Sequence, residues 1–125
     1  MIVGIGTDIV TVSRMAENLE RMGDRFARRL LTETEYKEYE KKHNGAAYLA
    51  KRFAAKEAAV KAMGTGFAEG ITWKHVAVCN DDKGAPFLEL SGPASDKAKV
   101  LGVVRAHLSI SDEKEHAVAF VILES

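Results

Sequence analysis

A run of helix-favouring residues in the middle of the chain constrains the fold more than any other feature. Residues 46–63 are rich in Ala, Lys and Glu, which are among the strongest helix formers. Gly64 follows at once and suits the left-handed end of a helix. The pattern therefore predicts one long helix. At about 100° per residue, four large apolar side chains fall on its core-facing stripe: Leu49, Phe53, Val60 and Met63.

Charged side chains interrupt that apolar stripe. Lys56 lies inside it, Glu57 lies at its edge, and Lys61 follows one helical turn later. A charge at such a position is costly unless it is paired or binds something. One interpretation is a site that holds a metal ion and an anionic substrate. The other is an ordinary i,i+4 ion pair between Glu57 and Lys61 on a solvated face.

Length and composition predict a single domain that spans residues 1–125. The chain is 46% hydrophobic and 29% charged, which suits a globular protein. It has no apolar run long enough to cross a membrane and no signal-peptide pattern at its start. Cys79 is its only cysteine, so no internal disulfide can form. We therefore expect a cytoplasmic protein that does not contact membranes.

Charge is spread unevenly along a chain whose formal net charge is zero. Residues 1–63 carry 12 basic and 9 acidic side chains, whereas residues 64–125 carry 6 and 9. A basic first half on a neutral protein indicates a specific anionic partner and disfavours general affinity for nucleic acid.

The apolar residues 1–6 predict a short buried strand that runs into Asp8. Gly4 and Gly6 form only a weak match to a dinucleotide-binding loop, because Ile9 occupies the place of the third glycine. Asp8 at the end of this strand has two interpretations. It is either a turn or cap residue or an oxygen ligand for a hard cation such as Mg²⁺.

A helix that Ser13 caps and that runs to about Met22 is expected next, followed by a shorter helix or a turn to Leu31. Phe26 and Leu30 extend their apolar stripe, and the helical phase aligns four basic side chains beside it: Arg14, Arg21, Arg25 and Arg28. Arginine holds carboxylates and phosphates bidentately, so this row suits docking of an acidic helix. The alternative is a solvated helix face with Glu17 and Glu20 as partners.

The remaining elements follow from caps and periodicity. A capping box from Thr32 to Glu35 predicts a helix to about Lys42, and Asn44 is placed to cap the long helix. Beyond Gly66 the pattern predicts four strands and one helix: strands at 71–80, 86–90, 105–111 and 117–123, and the helix between 93 and 102. This order predicts an α+β fold with antiparallel pairing.

Two motifs carry a resemblance to a known family. Gly4-Ile5-Gly6-Thr7-Asp8-Ile9-Val10 comes first, and Arg52-Phe53-Ala54-Ala55-Lys56-Glu57-Ala58-Ala59-Val60-Lys61-Ala62-Met63-Gly64-Thr65-Gly66 follows. Together they strongly resemble the holo-acyl-carrier-protein synthases, the short class of the 4′-phosphopantetheinyl transferases. The resemblance runs end to end and includes the Gly84-Ala85-Pro86 turn and the closing strand.

The resemblance implies a reaction and its catalytic residues. The 4′-phosphopantetheine group of coenzyme A would move to a serine of apo-acyl-carrier protein, for fatty acid biosynthesis, with release of adenosine 3′,5′-bisphosphate. Mg²⁺ would bind Asp8 and Glu57. Lys61 would steady the transferred phosphate or the leaving group, and Lys56 would contact phosphate or hold Glu57 in place. The general base is left open between Glu57 and a metal-bound water.

The resemblance also implies binding surfaces and an assembly. Coenzyme A contacts are expected at six positions: Lys56, Lys61, Gly64, Gly66, Pro86 and His107. The fold would be an antiparallel sheet packed on a long central helix, in a homotrimer whose active sites lie between neighbouring subunits. The carrier protein would dock on the first helices through five residues: Arg14, Arg21, Arg25, Phe26 and Arg28.

The chain departs from the family pattern at two positions. Many members have a Ser-His pair where this chain has Ser111-Asp112, and a lysine where it has Ala85. The coenzyme A contacts of those residues therefore do not carry over. Either that role is dispensable, or Arg105 or His107 supplies it.

Two other functions are compatible with parts of the sequence. A binding module for coenzyme A or a nucleotide, without catalysis, is disfavoured because Asp8, Glu57 and Lys61 are all present. A small nucleic-acid binder that uses the arginines is disfavoured by the zero net charge and by the lack of interleaved basic and aromatic residues.

Overall fold

Strands and helices follow one another in the order that the hydrophobic pattern predicts. A computed structural model describes the whole chain, residues 1–125. Its elements in chain order are β1 (Ile2–Thr11), α1 (Val12–Met22), α2 (Asp24–Leu30), α3 (Glu33–Glu40), α4 (Gly45–Met63), β2 (Val76–Asn80), β3 (Pro86–Leu90), α5 (Gly92–Val100), β4 (Arg105–Asp112) and β5 (His116–Glu124). The predicted α+β class is confirmed. None of the five helices has the length and hydropathy that a membrane-spanning helix needs.

All strand pairing is antiparallel and divides into two sheets. One sheet has the order β1-β5-β4, and β2 and β3 form a separate two-stranded sheet. The first strand thus pairs with the last one, and the Met1 ammonium donates a hydrogen bond to the Ser125 carbonyl at 3.2 Å. The larger sheet can form only when both ends of the chain meet.

Strand β1 continues past the end that the sequence predicts. It includes Asp8, which lies opposite Ala119 of β5, so Asp8 belongs to the strand interior and not to a turn. Side chains alternate between the two faces of a strand. Gly4, Gly6 and Asp8 therefore share one face, and this face packs against α4.

Glycines in β1 let α4 approach the sheet very closely. A Cβ atom added to Gly6 would lie 1.9 Å from the carbonyl oxygen of Ala58, and one added to Gly4 would lie 2.0 Å from that of Ala62. Real Cβ atoms do not make such contacts with backbone, so any larger residue would force helix and strand apart. The glycines of the first motif serve this approach in the structure.

The limits of α4 match the prediction to within one residue. The Asn44 side chain accepts a hydrogen bond from the backbone N–H of Ala47 at 3.0 Å, and Gly64 ends the helix in the left-handed region at φ 76°. Leu49 and Val60 of the predicted stripe have no exposed surface. Helix α4 therefore lies across the sheet with this stripe in the core.

Three predicted boundaries are wrong. The strand expected at 71–80 begins only at Val76, because Thr72 and His75 close a 3₁₀ turn in which the backbone N–H of Thr72 donates to Nδ1 of His75 at 2.9 Å. Thr11 takes the N-cap place expected of Ser13, because β1 continues up to that residue. Helix α3 ends at Glu40, short of Lys42.

Replacing Gly6 tests the close approach of α4. Gly6→Ala should lower the free energy of unfolding by about 1–3 kcal/mol, because overpacked cores must shift backbone to make room. Urea unfolding followed by circular dichroism measures it. Gly84→Asn is the control, since Gly84 has φ 86° and open space around it, and Asn tolerates that backbone at a cost below about 1 kcal/mol. An unchanged urea midpoint for Gly6→Ala would show that the contact does not constrain the fold.

Candidate active site

Where β1 meets α4, the structure brings three charged side chains together. Nζ of Lys61 lies 3.0 Å from Oδ1 of Asp8 and 3.1 Å from the carbonyl oxygen of Thr7. The Asp8 side chain is 15% exposed and that of Lys61 is 50% exposed. Glu57 precedes Lys61 by one helical turn and stands on the same side of α4. The predicted set Asp8, Glu57 and Lys61 therefore forms one group at the protein surface.

The electrostatics of this group centre on Glu57. Its partial burial raises the pKa of its carboxyl group, the nearby charge of Asp8 raises this pKa further, and Lys61 offsets part of the rise. Two carboxylates thus share a small, partly dehydrated space in which their charges repel one another. A divalent cation would relieve that repulsion.

The donor set suits a hard cation with few protein ligands. No group of three or more His, Cys, Asp or Glu side chains is placed to hold a metal, so Asp8 and Glu57 would be the only carboxylates available here. Mg²⁺ is often held by one or two carboxylates and completes its shell with water and substrate phosphates. The residues present fit that pattern.

Lys56 does not face this group, contrary to the prediction that it contacts phosphate or holds Glu57. Its side chain has no exposed surface, and its Nζ lies 2.7 Å from Oε1 of Glu35 and 3.0 Å from the carbonyl oxygen of Trp73. Successive helical residues point about 100° apart. Glu57 consequently faces β1 while Lys56 is directed towards α3 and the chain before β2.

Glu35 is the partner that sequence reasoning missed. The capping box predicted at Thr32 and Glu35 is confirmed, but the same carboxylate also accepts hydrogen bonds from Lys56 and from the backbone N–H of Val78 at 2.8 Å. It is 2% exposed. A capping box normally lies at the surface, and no local pattern signals that this one is covered.

The predicted coenzyme A contacts divide into near and remote positions. Gly64 and Gly66 form the turn that follows α4, with φ values of 76° and 61° and open space beside both. Pro86 begins β3 in the separate sheet. The glycines therefore follow Lys61 by about one turn along the chain, whereas Pro86 lies in the two-stranded sheet.

His107 lies on the opposite face of the large sheet from Asp8. It stands across from Ile122 of β5, whereas Asp8 stands across from Ala119, and neighbours an odd number of residues apart point to opposite faces. Its Nε2 is 3.0 Å from Oε1 of Glu124. Within one chain, the structure does not bring His107 to the Asp8 group.

Asp112, a departure from the family pattern, and Arg105, a suggested substitute for its role, also lie apart from the Asp8 group. Asp112 is exposed at the end of β4, and its Oδ2 is 3.9 Å from Nζ of Lys51. Arg105 is on the same sheet face as His107, with its Nη1 3.9 Å from Oε1 of Glu124. Neither Arg105 nor His107 reaches Asp8 within the chain.

The predicted arginine row is exposed on α1 and α2, as expected. Ion pairs with Glu17 or Glu20 do not form. Arg21 donates to Oδ1 of Asn18 at 3.0 Å, and Arg28 is held by Asp24 at 2.6 Å. Arg14 and Arg25 have no acidic partner within the chain.

An apolar cavity of about 230 Å³ opens beside these arginines. Its lining comes from α1, α2, α4 and the 3₁₀ turn: Met22, Phe26, Arg29, Leu30, Phe53 and Trp73. The Trp73 ring contacts those of Phe53 and Phe67 in tilted pairs, with ring centroids 4.9 and 3.9 Å away. Trp73 was not among the predicted site residues, because only the folded chain brings it to Phe26. Arg29 lies one helical turn from Phe26 on α2, so helical spacing alone could have included it.

The chain belongs to the 4′-phosphopantetheinyl transferase superfamily, whose family model matches residues 4–121. It is 55% identical over 123 residues to a holo-[acyl-carrier-protein] synthase of Nitrosococcus oceani, covering 98% of this chain and 80% of that one.

Two solved structures of such synthases are similar over nearly all of both chains. The crystal structure from Neisseria meningitidis has a TM-score of 0.94 at 39% identity and covers 100% of each chain. That from Bacillus anthracis str. Ames, in complex with CoA (3′,5′-ADP), has a TM-score of 0.81 at 42% identity and covers 100% of this chain and 98% of that one.

Proposed function

We propose that this chain transfers the 4′-phosphopantetheine group from coenzyme A to a serine of apo-acyl-carrier protein. The products are holo-acyl-carrier protein, for fatty acid biosynthesis, and adenosine 3′,5′-bisphosphate. The observation that carries the proposal is the meeting of Asp8, Glu57 and Lys61 where β1 crosses α4. The identity to relatives named for this activity supports it, as does the relative solved with CoA. A cytoplasmic location stays a prediction.

The chemistry required is one phosphoryl substitution. The serine oxygen bonds to the phosphorus of the phosphopantetheine group, the bond from that phosphorus to the adenosine bisphosphate oxygen breaks, and the serine proton leaves. The acceptor of this proton is either Glu57, where Asp8 alone holds the cation, or a water molecule at the site. The half-exposed Lys61 ammonium is available to the phosphate oxygens.

Asp8 and Glu57 would hold the magnesium ion. Their separation on two elements fits a cation that takes two protein ligands and fills its shell from the substrate. When bound, the ion supplies neutralisation of the charge on the pyrophosphate. Asp8 would contribute one ligand from strand β1, and Glu57 would contribute the other from helix α4.

Isosteric replacement of the carboxylates tests this function. Asp8→Asn or Glu57→Gln should reduce transfer at least about hundredfold, as removal of a charge-stabilising group does, while circular dichroism stays unchanged. Intact-mass spectrometry of apo-acyl-carrier protein with coenzyme A and Mg²⁺ measures the transfer, and an EDTA sample tests the metal. Asp82→Asn, in the exposed hairpin turn, is the control. Coenzyme A binding without any mass gain by the wild type would favour a binding module.

The carrier protein would dock on α1 and α2. Exposed positive charge comes from Arg14, Arg21 and Arg25. Phe26 follows Arg25 in the chain and lines the apolar cavity. An acidic helix with one apolar side chain fits such a surface, with charge pairs around an apolar anchor. Arg28 contributes less than predicted, because Asp24 already engages its guanidinium.

Reversing one unpaired arginine tests this surface. Arg14 is exposed and forms no side-chain hydrogen bond or ion pair within the chain, so Arg14→Glu should leave stability and coenzyme A binding intact. It should lower carrier affinity by at least about tenfold, since like charges across an interface repel. Calorimetry with apo-acyl-carrier protein measures the affinity. Lys99→Glu makes the same charge change on α5, and equal affinities for these two variants would exclude α1 as the docking helix.

The outer face of the large sheet supports association of the chain with copies of itself, which the family resemblance predicts to be a homotrimer with shared active sites. Four apolar side chains on this face are exposed by 37–65%: Ile5, Ile9, Val118 and Phe120. A contiguous apolar face of this kind marks an interface. His107 stands on the same face, so association would carry it towards a neighbouring subunit and its coenzyme A site.

A charge on that face should break the assembly. Sedimentation velocity is expected to give three times the mass of one chain for the wild type and a smaller mass for Phe120→Glu, because an ionised carboxylate resists burial. Val100→Glu replaces an apolar residue that is 80% exposed on α5 and should sediment like the wild type. A monomeric wild type would refute the trimer.

A further inference from the structure

A fully buried ion pair lies beside the apolar cavity and takes no part in the proposed chemistry. Lys56 has no exposed surface and Glu35 is 2% exposed, with 2.7 Å between Nζ and Oε1. The two residues lie 21 positions apart, on α4 and α3. Because both side chains are buried, neither is available to a substrate.

The pair holds both ends of one short segment, residues 73–78. Nζ of Lys56 donates to the carbonyl oxygen of Trp73 at 3.0 Å. The second carboxylate oxygen of Glu35 accepts from the backbone N–H of Val78 at 2.8 Å. The segment carries the 3₁₀ turn and the start of β2 and is thereby fixed to α3 and α4.

Trp73 connects this anchoring to the cavity. Its indole ring forms part of the cavity lining and contacts the rings of Phe53 and Phe67 in tilted pairs, while its carbonyl oxygen is the acceptor for Lys56. Phe53 precedes Lys56 by three residues on α4 and contacts the same indole ring. A movement of the Trp73 backbone would therefore change the shape of the cavity.

A buried ion pair is an unusual way to fix residues 73–78 to α3 and α4. Burial lowers the pKa of Lys56, and the charge of Glu35 offsets part of that effect. Apolar side chains of similar size often stabilise a core as well as a buried ion pair does. Unlike apolar contacts, the hydrogen bonds of the pair are directional, and they fix the positions of the Trp73 carbonyl and the Val78 amide.

We infer that Lys56 and Glu35 are positioning residues that hold Trp73 as a wall of the carrier-docking cavity and so set the affinity for the carrier protein. The inference rests on the proposed function, since it takes the cavity beside the arginines as the place where the carrier docks. It assigns Lys56 to carrier recognition and leaves phosphate contact to Lys61.

Trp73 is the only tryptophan of the chain, so its fluorescence reports this wall directly. Lys56→Gln keeps much of the side-chain length but removes the charge. The emission of the free variant should shift to longer wavelength as Trp73 becomes more solvated. The dissociation constant for apo-acyl-carrier protein should rise about tenfold, within the range of couplings through packed residues. The dissociation constant for coenzyme A and kcat at saturating carrier should both stay within about twofold of wild type, which is the lower end of the range of such couplings.

A double variant covers the case in which Lys56→Gln does not fold. Glu35→Gln together with Lys56→Met removes both charges, a change that buried pairs often tolerate, and leaves the Trp73 carbonyl without its donor. It should show the same red shift and the same selective loss of carrier affinity. Lys37→Gln, which removes one exposed charge from α3, is the matched control and should behave as the wild type.

Two outcomes would overturn the inference. One is a folded variant with wild-type emission and wild-type carrier affinity. The other is an equal loss of affinity for carrier and coenzyme A, which indicates a general structural role. Failure of the proposed function looks different, because the wild type itself would then transfer nothing, while the emission shift would still report whether the pair holds Trp73.

Discussion

The contact between β1 and α4 is the constraint on which the rest of the structure depends. Gly6 and Gly4 leave room for the backbone of α4 at Ala58 and Ala62, and this approach places Lys61 3.0 Å from Asp8. A Cβ atom at either glycine would move the helix outward and separate the charged groups. The packing that builds the core therefore also builds the candidate active site.

The inner and outer faces of the large sheet have different contacts and different proposed roles. Its inner face packs on α4 and presents Asp8, whereas its outer face exposes Ile9 and Phe120 and carries His107. In the proposed assembly, the outer face associates with neighbouring chains and the inner face contributes the catalytic groups. Residues of both faces meet at one site only if two chains share it.

Helix α4 likewise directs adjacent residues to different structures. Glu57 faces β1 and the proposed metal site, while Lys56 anchors the segment behind the apolar cavity through Glu35 and Trp73. The proposed reacting groups Glu57 and Lys61 and part of the lining of the proposed carrier-docking cavity, Phe53, thus share one helix. This common attachment explains how docking of a carrier at α1 and α2 would present its serine in a constant position relative to Asp8 and Lys61.

The sequence by itself determined the features that depend on near neighbours along the chain. The caps at Asn44 and Gly64, the capping box at Thr32 and the apolar stripe of α4 are local, and each was predicted. Only the tertiary structure decided the partner of Lys56 and the fact that the polar face of β4, with His107, lies on the opposite side of the sheet from Asp8. Periodicity shows that a lysine falls in an apolar stripe, but its acceptor lies 21 residues away, and which face a strand turns inward depends on what packs against it.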